Sequence, residues 1–200
     1  MSTAERRARE LEQRERSLLD AAVALLDGED WQAVTVEAIA ERAEYAKGTV
    51  YRHFASKDDL YARLAADWIG GTCEALEALD ADRQFEAVLR DLVLVALRRA
   101  TGDRVHARLF ARVRQPEVRR GLSPEARRLL DAADARLLGL FAGTIDWGVA
   151  EGAIPPAPLE PRLFVIAALL AGAAGTAAPA TVSDPERCIA DAVLAALRAG

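Results

Sequence analysis

The sequence predicts an all-α protein of about nine helices. Alanine and leucine dominate its 200 residues, and both are strong helix formers. Runs of β-branched residues with period two, the mark of half-buried strands, are absent. The 13 Gly and 8 Pro fall mostly between apolar stretches, where they act as stops. Hydrophobic residues at 52% and charged residues at 28% belong to a globular chain, not a disordered one. A chain of 200 residues is also long enough to bury a substantial core.

The first helix is expected over residues 10–27, with Leu18, Ala22 and Leu25 on one face and Gly28 as its stop. Thr35 is an N-cap residue for a short second helix, and Glu37 in its first turn suits the helix dipole. A turn at Glu44 and Tyr45 leads into a third helix over 46–54. Ser56, with an acid three residues on, opens a fourth that carries Leu60, Leu64 and Trp68 at helical spacing and ends near 79. Further helices are expected over 83–100, 104–114, 123–150, 161–178 and 185–199. Ser123-Pro124-Glu125 is a start signal, and Glu151-Gly152 followed by Pro155 and Pro156 is a stop. The helix over 83–100 is apolar on almost all sides, which places it centrally in a bundle.

Composition narrows the function classes. Cys73 and Cys188 are far apart and lack metal-ligand spacing, so neither a disulfide framework nor a zinc site is expected, and free thiols fit a reducing cytoplasm. Two histidines, His53 and His106, leave no Ser/His/Asp set, and no phosphate loop or metal cluster is present, so no enzyme and no catalytic residue is expected. The charged N-terminus lacks the apolar stretch of an export signal. Residues 163–183 carry no charge, but their apolar part is 13 residues. As a helix this spans roughly 20 Å, short of the roughly 30 Å of a bilayer interior, so no membrane partner is expected. The net charge of −5 argues against a general nucleic-acid coat protein but says little about a local patch.

The most informative stretch is residues 35–60. Two short helices, a tight turn and a longer supporting helix outline a helix-turn-helix. In the second short helix Val50 and Phe54 share the inward face, which leaves Lys47, Gly48, Thr49, Tyr51, Arg52 and His53 on the others. Lys47 and Arg52 suit phosphates or guanine edges, Thr49 and Tyr51 can donate to phosphate, and Gly48 permits close approach. Tyr45 and Ala46 at the exit of the turn complete that face, and Lys57 stands where a helix start also attracts phosphate. The run from Gly48 to Leu60, together with Thr35-Val36-Glu37-Ala38-Ile39-Ala40, resembles the signature of the TetR-type (tetracycline-repressor-like) transcriptional regulators. The close part of the likeness covers about residues 14–65.

That resemblance implies a DNA-binding domain over 1–55 and an effector-binding and dimerisation bundle over 56–200. It also implies that Thr35, Lys47, Thr49, Tyr51, His53 and Lys57 face DNA. The partners it implies are a double-stranded, pseudo-palindromic operator, an unknown small-molecule effector and a second copy of the chain. The function implied is that of a cytoplasmic repressor released by its effector, with no cofactor. The alternative is a helical small-molecule-binding protein whose DNA binding is weak or lost. Its motives are Glu44 and Ala46 at the turn and the charge of the head: residues 1–60 hold nine basic and thirteen acidic residues, although residues 44–57 are locally basic.

At the turn the chain has Ala43-Glu44-Tyr45-Ala46, where the family usually has Ala-Gly-Val-Ser. Glu44 must therefore take the left-handed conformation at roughly 1 kcal/mol, and Ala46 cannot cap the helix it starts. Arg6, Arg7 and Arg9 are candidates for an arm that reaches a minor groove. Trp68, Arg108, Phe110, Phe141 and Trp147 are candidate effector contacts, with core packing as the alternative reading for the aromatics. Arg104, Arg108 and Arg112 form a stripe, expected to be solvated or ion-paired. The small residues from Ala171 to Gly175, with the final helix, are the expected subunit interface.

Overall fold

The computed structural model describes residues 2–28, 33–80, 83–175 and 181–199. Among the described residues the regular elements are ten α-helices, with no strand. They are α1 (Thr3–Leu26), α2 (Val36–Arg42), α3 (Lys47–His53), α4 (Lys57–Glu77), α5 (Phe85–Gly102), α6 (Arg104–Val113), α7 (Pro116–Gly121), α8 (Pro124–Ala150), α9 (Leu159–Gly175) and α10 (Pro185–Ala199). Two departures from the expected nine have local causes. α1 begins near the N-terminus because Ser2 and Glu5 form a reciprocal capping box. α7 is a six-residue helix with Pro116 in its first turn, too short to show apolar periodicity. The expected helix end at 176–178 and the side chains of Ala174 and Gly175 lie outside the described residues.

Several helix ends follow the expected chemistry. The Asp59 N–H donates to Ser56 Oγ (3.0 Å) and the Ala126 N–H to Ser123 Oγ (3.2 Å). At the end of α8, Gly152 has φ +72°. The Ala153 N–H there donates to the Gly148 carbonyl (2.9 Å) and the Gly152 N–H to the Val149 carbonyl (3.1 Å). These paired bonds are a Schellman motif, which satisfies carbonyls left open at the helix end.

The chain forms two compact units, one of Met1–Ala65 with Arg108–Leu130 and one of Ala66–Ala107 with Asp131–Gly200. This differs from the expected division at residue 55. The first turns of α4 are fixed within the first unit: Leu60, Tyr61 and Ala62 are buried, and the buried Asp59 carboxylate accepts from the Ser123 N–H (3.0 Å). Arg112 also donates to Asp58 (2.9 Å). In that unit α1 packs on α2 and α2 on α3. Leu18, Ala22, Leu26, Ile39 and Val50 are buried, at about 1.5–3 kcal/mol for each large side chain.

In the second unit α5 packs against both α9 and α10, the central place its apolar surface requires. Phe85, Leu89, Val93 and Leu97 of α5 join Ile166, Val193 and Leu197 in one core. Arg90–Asp191, Arg98–Glu186 and Arg198–Glu86 pairs tie α5 to α10. The buried Arg162 donates to the Leu197 carbonyl (3.1 Å), a cation against a helix C-terminus.

Tyr61 stands out in the first unit. It is 1% exposed, and its hydroxyl has no hydrogen-bond partner among the described residues. Burial pushes its phenol up to about 12; nearby Arg112 opposes the shift and Asp58 reinforces it. A raised phenol favours the folded state fully below the unfolded value near 10, and that contribution is lost as pH climbs toward 12, because the unfolded chain ionises first. Tyr61→Phe removes an unpaired buried polar group, so stability at neutral pH should rise by about 1 kcal/mol. It should also flatten this part of the alkaline decline, which urea melts at neutral and alkaline pH would show.

Candidate nucleic-acid interface

The helix-turn-helix is built from local signals. Thr35 Oγ1 accepts from the Ala38 N–H (3.1 Å) and starts α2. α2 ends in the same motif as α8: the Tyr45 N–H donates to the Ala40 carbonyl (2.9 Å) and the Glu44 N–H to the Glu41 carbonyl (3.0 Å). The residue at the left-handed position is Glu44, with φ +59°, where a glycine would carry no strain. α3 follows from Ala46, which makes no side-chain cap bond, as the sequence required. Val50 and Phe54 are buried and fix which side of α3 turns outward.

On that outward side Thr35, Ala46, Lys47, Gly48, Tyr51 and Arg52 are exposed, Tyr51 by 49%. A Cβ added at Gly48 would meet nothing within 4 Å, so the chain leaves this stretch of helix uncovered. Lys47 Nζ lies 5.8 Å from the centre of the Tyr51 ring. Tyr45 is half-buried.

Three expected DNA contacts are placed differently. Thr49 is 7% exposed, and its hydroxyl accepts from Arg52 Nη2 (3.0 Å), so it braces Arg52 instead of standing on the surface. The His53 side chain is 5% exposed and turns toward α1, with Nδ1 3.9 Å from Glu15 Oε2. Glu15 also pairs with Arg63 (2.8 Å). Lys57 Nζ donates to the Val34 carbonyl (2.9 Å), tying the start of α4 to the segment before α2. The Thr49 contact lies within α3, whereas His53 and Lys57 are held by residues distant in sequence, which helical spacing within α3 does not report.

Sequence reasoning missed a partner of Lys47. Glu37 of α2 forms an ion pair with the Lys47 ammonium. The hydrogen bond from Lys47 holds the Glu37 carboxyl below its ordinary range, and the same bond raises Lys47. Both side chains are exposed, so the pair is weak in water, but an incoming phosphate must displace it. Glu37→Gln keeps the shape and removes the competing charge. It should raise affinity for duplex DNA several-fold at low salt, and the gain should shrink as salt screens the pair, as a fluorescence anisotropy titration would show.

Of the five candidate effector contacts, Arg108 and Phe110 belong to the first unit, and Trp68, Phe141 and Trp147 to the second. The Phe110 ring lies 4.0 Å from the Arg114 guanidinium. Trp68 stacks on His106 at 6.2 Å, and His106 in turn meets the Asp103 carboxylate (2.5 Å). Trp147 packs edge-on to Phe85, and Phe141 is buried in the core. Of the arginine stripe, Arg112 is ion-paired with Asp58. Among the described residues no group of three or more metal-ligating side chains occurs, and no helix is long and apolar enough to cross a membrane.

Comparison with known proteins gives a consistent pattern. Residues 18–64 match the family described as bacterial regulatory proteins, tetR family. A 54-residue stretch is 46% identical to the HTH-type transcriptional repressor KstR of Rhodococcus jostii (strain RHA1). That match spans 27% of this chain and about a quarter, 26%, of the relative. The fold is similar to that of a tetR-family bacterial regulatory protein from Rhodococcus RHA1, with a TM-score of 0.70 and 23% identity over 92% of this chain and 95% of that one. It is also similar to the transcriptional regulator FadR from Bacillus subtilis in complex with stearoyl-CoA, with a TM-score of 0.67 and 21% identity over 92% and 98% of the two chains.

Proposed function

We propose that this chain, whose head over residues 18–64 is that of the TetR family of bacterial regulatory proteins, is a sequence-specific DNA-binding repressor. It acts in the cytoplasm as a homodimer and leaves its operator when a small-molecule effector binds. The observation that carries the reading is the uncovered face of α3, where Lys47, Gly48, Tyr51 and Arg52 are exposed beside buried Val50 and Phe54. A helix with that division can lie in a major groove, its cations on phosphates or guanine edges. Thr35 and Ala46 flank this face, while His53 and Lys57 meet phosphate only by leaving Glu15 and Val34.

Pairing is supported by α9 and α10. Phe164 is 74% exposed, and Val165, Ala168, Ala171 and Gly172 continue an apolar stripe along α9. Cys188, Ala192, Ala195 and Ala196 are exposed on α10. Small side chains there let two copies approach closely about a two-fold axis. An effector then acts through its differential affinity for two spacings of the heads. FadR was solved with stearoyl-CoA, but that likeness is one of fold, and the effector of this chain is a small molecule of unassigned class. The half-buried Trp68 and Trp147 of the second unit are candidate contacts for it.

The test is selection of bound duplexes from a randomised pool with the purified full chain, followed by footprinting. The expected result is a pseudo-palindrome with half-site centres about 10 base pairs apart or a multiple of that. No enrichment even at about 50 mM salt, where phosphate contacts are strongest, would overturn it in favour of a helical binding protein without DNA.

A further inference from the structure

The first turns of α1 carry a basic surface that the reading of α3 does not use. Arg7, Ala8, Leu11 and Arg14 of α1 and Arg52 of α3 line an open groove of about 710 Å³, with Glu10 as its acidic residue. Leu11 is 55% exposed and forms an apolar part of the groove with Ala8.

The charges of α1 are segregated. The helix holds five arginines and five acids, which cancel along its length. Glu5 is turned back to the Ser2 N–H (2.9 Å), and Glu15 is turned to Arg63 and His53. What faces the groove is three arginines against Glu10, whose pair with Arg14 is exposed and long (3.8 Å). Arg7 and Arg14 are two helical turns apart, within about 20° of one stripe and about 10.5 Å along the axis. One strand of a duplex presents a phosphate about every 3.4 Å of axis, so this separation corresponds to about three phosphates. Arg52 belongs to both the groove and the exposed face of α3, so the two surfaces are continuous.

We propose that this groove holds the sugar–phosphate backbone flanking the bases that α3 reads. Arg7 and Arg14 each meet a phosphate, and the apolar edges of the sugars lie over Ala8 and Leu11. Arg6, Arg7 and Arg9, the candidates for a minor-groove arm, belong to a capped helix, and of the three Arg7 alone lines the groove. The inference rests on the DNA-binding reading above.

Its test compares the full-length chain with Arg7→Ala/Arg14→Ala. The probe is a labelled duplex selected from the random pool, used whole and with about 5 base pairs removed from each flank, half a helical turn. Alanine favours helix, so circular dichroism should be unchanged. The salt dependence, log Kobs against log salt, should become shallower by about 1.8 for each protomer bound. At about 0.15 M salt the affinity should fall tenfold or more. Trimming the flanks should cost the wild type a similar factor and the variant nothing. An unchanged salt slope overturns the inference, whether affinity is retained or lost, because a lost phosphate contact must release fewer counterions. An acidic protein seated in the groove would give that unchanged slope. A wild type that selects no duplex is a different failure: it removes the DNA-binding reading, and this inference with it, before any variant is compared.

Discussion

Lys47→Ala combined with Tyr51→Phe is expected to abolish sequence-specific DNA binding while leaving the fold intact. Both side chains are exposed on the open face of α3, and neither belongs to the core formed by Val50, Phe54 and Ile39. Tyr51→Phe keeps the ring beneath Lys47 and removes only the hydroxyl, so the phenol's donation is what the change tests. Hydrogen bonds that involve a charged group contribute about 1.5–3 kcal/mol each, and a dimer loses each of them twice. A loss of at least about 10²-fold is therefore the expected result by anisotropy on the selected duplex. Lys47→Ala alone should also reduce the salt slope by about 0.9 per protomer, whereas Tyr51→Phe alone should leave it unchanged. Lys57→Ala is a poorer probe, because its ammonium also holds the Val34 carbonyl and its loss would loosen the segment before α2. Wild-type affinity in the double variant at matched salt would remove α3 from the interface.

How legible these features were depends on how far apart the deciding residues stand. Thr35, Ser56 and Ser123 each accept from a backbone N–H three residues on, so their helix starts could be read from a few letters. The left-handed Glu44 was equally readable, because the turn needs that conformation whatever residue occupies it. The capping box of Ser2 and Glu5 was present too, but a run of exposed charges follows it, and apolar periodicity begins only near Leu18. Thr49, His53 and Lys57 meet Arg52, Glu15 and Val34, and only Arg52 shares a helix with the residue it meets, so spacing within α3 does not report the other two contacts. The Glu37–Lys47 pair required the distance between two helices, which no spacing rule gives. The division at residue 55 cut at the motif's edge, whereas the buried Asp59 binds the Ser123 backbone from far along the chain. For Trp68, Phe141 and Trp147 core packing is the favoured sequence reading over a pocket, because apolar aromatics in a core need no ligand, and Phe141 is buried in the core of the second unit.

Gly148→Ala should destabilise the second unit by about 2 kcal/mol, and here packing outweighs helix propensity. A glycine inside a helix costs about 1 kcal/mol relative to alanine, so the substitution would stabilise an open site by that amount. Gly148 is not open: a Cβ there would lie 2.6 Å from Phe85 Cζ and 2.8 Å from Cδ2, far inside contact distance. Phe85 is 1% exposed at the start of α5, and its ring meets Trp147 edge-on at 5.9 Å, so it has no empty space to enter. Overpacking of this kind costs typically 1–3 kcal/mol, and a clash with a confined ring belongs at the upper end, which leaves the net loss after the propensity gain. Gly143 in the same helix is the control, since its added Cβ meets nothing within 4 Å. Gly143→Ala should therefore gain up to about 1 kcal/mol. Phe85→Leu in the Gly148→Ala background should recover part of the loss by vacating the ring edge, although Phe85→Leu alone is destabilising. The sign of that coupling in a double-mutant cycle separates a specific clash from general loosening. If Gly148→Ala raised the thermal midpoint as Gly143→Ala does, the close approach of α8 to the α5 ring would be wrong.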